Sequence, residues 1–176
     1  MLIVITGDGK GKTTSALGQA MRTCGDGRRV LMLQFIKGPW KSGEDNKKVW
    51  PPGFELRKGG LGFVGILGDK LPREKHVKAA QKTLEEAFKE VESGPPAGGW
   101  DVIILDEINV ALDLNLISLA QVSKYVDISI EKKIDLIFTG RNAPQKLIEK
   151  ADIVSEIKDI KHVFKKGLKA RKGLDY

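Results

Sequence analysis

The chain has one cysteine, Cys24, in 176 residues. That excludes an intrachain disulfide framework and fits a reducing compartment. Histidines number only two, and nothing in the sequence has the spacing of a structural metal cage or of a Ser-His-Asp set. Aromatic residues make up 6% and form no repeat interleaved with basic residues, so a stacking platform for single-stranded nucleic acid is not expected. No apolar run approaches the ~20 residues of a membrane-spanning helix. The apolar start Met1–Ile5 is shorter than the apolar region of a secretory signal and runs straight into glycines. These absences point to a cytoplasmic protein with no membrane and no nucleic-acid partner.

What is abundant is basic charge: 30 Lys and Arg against 23 Asp and Glu, a net charge of +7. The lysines of 37–48, 70–89 and 158–172 are mostly interleaved with acids. This reads as a solvated surface with a site for anionic ligands, and only secondarily as a nucleic-acid face. A hydrophobic share of 41% suffices for one core at this length, and no repeat or long linker divides residues 1–176.

Apolar runs alternate with helical spacing, the pattern of a parallel α/β sheet. Leu2–Ile5, Val30–Phe35, Phe54–Leu56, Val102–Leu105, Asp135–Thr139 and Ile153–Ile157 read as strands. Ala16, Leu17, Ala20, Met21 and Cys24 recur at helical spacing up to Gly25. A long helix starts near Pro72, with Val77, Ala80, Leu84, Phe88 and Val91 on one face, and the stretch SGPPAGG stops it. Ser118 is placed to cap a helix to about Lys132, and a short helix is expected near Pro144–Lys150. The stretch 36–52, rich in Gly and Pro, reads as loop. The Lys-rich surroundings of His76 predict a solvated side chain, and His162 reads as a local packing or capping residue. Cys24 reads as a buried small hydrophobe.

The chemistry concentrates at TGDGKGKTTSALG, Thr6–Gly18. Gly11-Lys12-Thr13 supplies the second half of a Walker A loop, but the position of its first glycine holds Thr6. The loop is one residue short when counted from Gly7. Between a strand and a helix, its backbone N–H groups face a phosphate and the helix N-terminus favours negative charge. Gly7, Asp8, Gly9, Lys10, Gly11, Lys12, Thr13 and Thr14 are therefore the candidate nucleotide-binding residues. Asp106-Glu107, closing an apolar strand, is the natural Walker B partner, and Thr13, Asp106 and Glu107 are the candidate Mg2+ set.

Several segments in order resemble a known family, the P-loop type of ATP:corrinoid adenosyltransferases (the cob(I)alamin and cob(I)yrinic acid a,c-diamide adenosyltransferases). They are the glycine loop with Arg22 beyond it, LQFIKGPWKSGE at Leu33–Glu44, GGLGF at Gly59–Phe63, WDVIILDEIN at Trp100–Asn109, TGRNAPQKLIEKADIVSEI at Thr139–Ile157, and the close KHVFKKGLKARKGLDY. The resemblance covers nearly the whole chain. It implies one P-loop NTPase-like domain, three layers around a mostly parallel sheet. It also implies transfer of the 5′-deoxyadenosyl group of ATP to the cobalt(I) of a reduced corrinoid, with release of triphosphate and with Mg2+ as cofactor. The family resemblance further implies a homodimer, an electron-donating reductase as partner, a nucleotide contact from Arg22, and catalytic roles for Lys12, Glu107 and Phe63. Three departures stand out. Gly65 occupies the place of the tryptophan in the family's Gly-Phe-x-Trp segment, which leaves Phe63 to act with another ring such as Trp40 or Trp50. Asp8 replaces a common Asn. The first strand begins without the extension that caps the site in some relatives. The competing readings are a P-loop ATPase or kinase working at the γ-phosphate, with Glu107 as base, and a nucleic-acid-binding ATPase.

Overall fold

The structure, a computed structural model, describes residues 1–38, 40–66, 68–161 and 171–174. His162 and most of the C-terminal close lie outside the described residues. Among the described residues, six strands form one sheet: β1 (Leu2–Thr6), β2 (Val30–Gln34), β3 (Phe54–Lys58), β4 (Val102–Asp106), β5 (Asp135–Thr139) and β6 (Ile153–Glu156). Their order is β3-β2-β4-β5-β1-β6, and all five pairings are parallel. Five helices connect them: α1 (Lys12–Gly25), α2 (Arg73–Ser93), α3 (Ile108–Asp113), α4 (Leu119–Glu131) and α5 (Gln145–Lys150).

Alternation within each strand builds the three layers. Leu2, Val4, Leu31, Leu33, Ile103, Leu105, Leu136 and Phe138 pack on one face with Ala80 and Leu84 of α2, Ala111 of α3, Val122 and Val126 of α4, and Leu147 of α5. Ile5, Val30, Met32, Val102, Ile104 and Ile137 face the other way onto Ala16, Ala20 and Cys24 of α1. The strands β2 and β4 are buried along their whole length, as continuous apolar runs in a two-sided sheet should be. Ser118 caps α4: its hydroxyl accepts from the Gln121 N–H at 3.3 Å while the Gln121 side chain accepts from the Ser118 N–H at 2.9 Å.

Three expectations are modified. The strand begun at Phe54 runs to Lys58, two residues past the expected end. The helix α3 was not anticipated, because six residues directly after an apolar strand are too few for a period to register. His76 is not solvated. Its side chain is 3% exposed and its Nε2 lies 3.0 Å from Asp69 Oδ2. The helix turns that face of α2 inward toward Asp69, which also accepts from the Gly65 and Leu71 N–H groups.

Candidate functional site

In a parallel sheet ligands meet the carboxyl ends of the strands, and the charged residues converge there. The strand β1 ends at Thr6 and the chain arcs through Gly7–Gly11 into α1, with Gly11 at the helix N-cap and φ 124°, a value that a side chain would strain. The Lys12 ammonium is folded back over the arc, donating to the carbonyls of Gly7 at 2.6 Å and Gly9 at 2.7 Å. Burial lowers the Lys12 pKa, and the nearby Glu107 charge opposes that. One loop amide is already committed: the Gly9 N–H donates to the Ile157 carbonyl at 2.7 Å. Asp8, Lys10 and Thr14 are exposed around the loop.

Two strands away, Asp106 ends β4 fully buried. Its Oδ1 accepts from the Thr13 hydroxyl at 2.9 Å and from the Thr139 hydroxyl at 2.6 Å, and its Oδ2 accepts from the Gln34 amide at 3.0 Å. Thr139 in turn accepts from the Glu107 N–H at 2.9 Å. Burial pushes Asp106 upward and these donors oppose it. Three donors aimed at one carboxyl favour its charged form. Accordingly Glu107 is pushed up to about 7, chiefly by burial and next by the Asp106 charge, with Lys12, Lys37 and Arg141 pulling the other way. Glu107 has φ 61°, a left-handed turn that lets β4 break directly into α3 with the carboxyl at the strand end.

This geometry fits Mg2+ in a particular way. Because the Thr13 hydroxyl gives its proton to Asp106, its oxygen lone pairs are free to meet a cation. No group of three or more His, Cys, Asp or Glu side chains converges among the described residues. Mg2+ held by one hydroxyl, a carboxylate, waters and substrate phosphates needs no such cage.

Gln34, Thr139, Arg141 and Asn109 complete the site and received no role from the residue pattern alone. Arg141 follows Gly140 at the end of β5 and lies 3.7 Å (Nε) from Asp8 Oδ1, an exposed pair of small energetic weight. Asn109 donates to the Gly140 carbonyl at 3.2 Å. The buried Gln34 was hidden by lying at the end of an apolar run. Arg22 is not brought to the loop. It is exposed in the last turn of α1, about 15 Å along the axis from Lys12, beside Asp26 and Arg28. Phe63 and Trp40 lie on the loops leaving β3 and β2, at the same carboxyl edge, with ring centroids 6.0 Å apart. Trp50 packs elsewhere, 4.1 Å from Phe54.

Comparison with known proteins agrees over the full length. Residues 1–176 match the family model described as ATP:corrinoid adenosyltransferase BtuR/CobO/CobP. The chain is 35% identical over 176 residues to the corrinoid adenosyltransferase of Escherichia coli K12, covering 100% of this chain and 85% of that protein. Identity is 34% over 176 residues with corrinoid adenosyltransferase CobA of Salmonella typhimurium LT2, again 100% and 85%. It is 34% over 178 residues with the Sinorhizobium corrinoid adenosyltransferase, 100% of this chain and 80% of that one. A solved DNA replication initiation factor superposes with a TM-score of 0.43 at 13% identity, over 89% of this chain and 39% of that one, too distant to bear on the chemistry.

Proposed function

We propose a specific reaction from the premise that this chain belongs to the ATP:corrinoid adenosyltransferase family and is a transferase: the 5′-deoxyadenosyl group of ATP passes to the cobalt(I) of a reduced corrinoid, and triphosphate leaves. The cobalt(I) electron pair attacks C5′, the cobalt–carbon bond forms as the C5′–O bond breaks, and the bond electrons depart on triphosphate. Cobalt rises formally to the +3 state. The nucleophile belongs to the substrate, so the protein needs no activated side chain. Its work is orientation and stabilisation of a leaving group that gains charge.

The observation that supports this most directly is the Thr13–Asp106–Thr139 arrangement beside a lysine-bearing glycine loop. Lys12, released from the Gly7 and Gly9 carbonyls, would hold the triphosphate with Lys10 and the loop amides other than that of Gly9. Bound Mg2+ supplies charge neutralisation on the triphosphate. Thr13 would hold it, Asp106 fixes the Thr13 hydroxyl, and Glu107 loses its proton to face it. Arg141, on the far side of the loop, is placed to add positive charge. Phe63 would meet the corrinoid. Arg22 can reach a nucleotide only outside this chain's own loop, for instance that of a second subunit in a homodimer. An electron-donating reductase would deliver cobalt(I) in the cytoplasm.

One observation favours a second reading: a carboxyl of pKa about 7 near Lys12 also suits a base for water or a hydroxyl attacking the γ-phosphate. Product analysis separates the two. Purified protein with ATP, Mg2+ and chemically reduced cobalamin is expected to yield triphosphate and a light-sensitive adenosylated corrinoid. Phosphate and ADP without that product would overturn the transfer at C5′.

A further inference from the structure

We propose that Gln34 is a positioning residue of the Mg2+–triphosphate site, its side-chain oxygen accepting a hydrogen bond from a water of the bound ion. The inference rests on the Mg2+ part of the reading above and on no step of the transfer. Gln34 ends β2 with its side chain fully buried. Its Nε2 donates to Asp106 Oδ2 at 3.0 Å, while its Oε1 is enclosed and meets no donor among the described residues. A buried acceptor left unpaired costs stability, so a native one calls for a specific reason.

The amide cannot relieve this itself. Turned over, it would set its oxygen against the Asp106 carboxylate and withdraw the N–H that Oδ2 accepts. The backbone is held as firmly. Gln34 lies in register with Lys58 of β3 on one side and Asp106 of β4 on the other. Its carbonyl accepts from the Gly59 and Gly60 N–H groups at 3.0 and 3.2 Å. Lys37, three residues on, is paired with Glu44 and supplies no hydrogen to the amide.

Place selects the missing donor. Thr13 and Gln34 hold the two oxygens of one carboxyl, Thr13 on Oδ1 at 2.9 Å and Gln34 on Oδ2, and Thr13 is the hydroxyl fitted to meet Mg2+. By strand alternation Gln34 and Asp106 share the sheet face of α1, the helix that carries Thr13. Mg2+ bound through few protein ligands keeps several waters, and a water on a cation is a strengthened donor. Asp106 Oδ1 already accepts from two hydroxyls. The Gln34 oxygen offers such a water an acceptor without placing a further negative charge beside Asp106 and Glu107. Groups one hydrogen bond removed from a metal's ligands commonly change its affinity about 10–100-fold.

The test uses the full chain with 13C,15N-labelled glutamine and follows the Gln34 side-chain amide by NMR, assigned from its backbone connectivity. MgATP is expected to move the Gln34 Cδ resonance downfield, and ATP with EDTA to leave it in place. The Gln81 and Gln121 amides, joined at 2.8 Å between α2 and α4, should not move in either case. In a second arm ATP affinity is titrated with and without Mg2+. Gln34→Met should cut the Mg2+-dependent gain in ATP affinity about tenfold, with metal-free ATP binding within about twofold of wild type. The wild-type spectra decide alone if that variant does not fold. A Gln34 Cδ unmoved by MgATP overturns the assignment. So does an equal shift with metal-free ATP, which gives the donor to the nucleotide or to Lys37. An unchanged Mg2+-dependent gain in Gln34→Met does the same, leaving the oxygen to an ordinary internal water. Wild-type protein whose Gln34 signal moves as expected but which yields no adenosyl product refutes the transfer and leaves Gln34 in its role. Normal product with an unmoved signal does the reverse.

Discussion

Replacing Glu107 by glutamine should stabilise the protein while disabling it. The carboxyl has been pushed up to about 7, first by burial and second by the Asp106 charge, from an ordinary 4.5. The full shift corresponds to about 3 kcal/mol, and since the residue is only partly enclosed, roughly 1–3 kcal/mol is expected after solvent relaxation. The folded chain binds this proton more tightly than the unfolded chain does. Between pH 4.5 and 7 the folded state therefore holds more protons, and stability falls as pH rises, the penalty being complete above pH ~7. Glu107→Gln cannot ionise and keeps the same backbone, so the left-handed turn costs both proteins alike. Urea unfolding from pH 5 to 8.5 should show the variant more stable at pH 8 and without most of the slope that the wild type has between pH 5 and 7.5. The midpoint of that slope belongs to the Asp106–Glu107 pair. MgATP should demand the ionised form, so at pH 6.5 binding is expected to release about three-quarters of a proton. Calorimetry in buffers of different ionisation enthalpy counts it. A variant no more stable than wild type at pH 8, with the slope intact, would refute the reasoning.

Lys12→Ala should lower turnover about a hundredfold, the usual loss on removing one preorganised charge at a leaving group; initial rates at saturating ATP check it, and an unchanged rate rejects the loop assignment. Thr139→Val keeps the shape but removes the hydroxyl that joins Glu107 N–H to Asp106, so kcat should fall about tenfold with a raised requirement for Mg2+, from the loss of one charge-assisted bond. A Mg2+ titration with unaltered midpoint and rate would exclude that linkage. Gly9→Ala would press a methyl to within 2.6 Å of the Lys158 carbonyl and should destabilise by about 1–3 kcal/mol while weakening ATP binding; thermal unfolding and nucleotide titration should move together.

The strands and the long helix were legible because burial on one or both faces leaves a period of two or an unbroken apolar run. The loop and the acidic strand end were legible because phosphate binding requires particular residue types at fixed spacing. What escaped depends on contacts between distant segments. Nothing beside Gln34 or Thr139 marks them as partners of Asp106; only the register that sets Gln34 opposite Asp106 and Thr139 just past the last β4–β5 pair does so. Lysines around His76 suggested solvent, yet one helical face suffices to bury it against Asp69, seven residues back across a proline. That Trp40 lies beside Phe63 while Trp50 packs on Phe54 depends on how the loops after β2 and β3 approach each other, which residue type alone does not reveal.

The shortened loop can now be explained by its neighbour. Thr6, where a Walker loop would have its first glycine, is the last residue of β1. Its hydroxyl accepts from the Ala143 N–H at 3.3 Å, and its carbonyl accepts from the Ile157 N–H at 2.8 Å. The residue is thus held in the sheet and cannot take part in the turn. With one residue fewer the arc sits low, and the backbone of 157–158 closes over it. A Cβ at Gly7 would meet the Ile157 carbonyl oxygen at 2.5 Å, and the Gly9 N–H is bound there. The strand β6 contributes little to the core, since all four of its residues are exposed, yet its exit fixes the shape of the loop. A phosphate site so braced has one amide fewer to offer, and the lysine folded over it must move before ligand enters. For γ-phosphate hydrolysis, which depends on closely wrapped β- and γ-phosphates, that is a poor arrangement. For the proposed release of a whole triphosphate it would be a suitable one, because the charge to be met would develop at the α end and the group would finally have to leave.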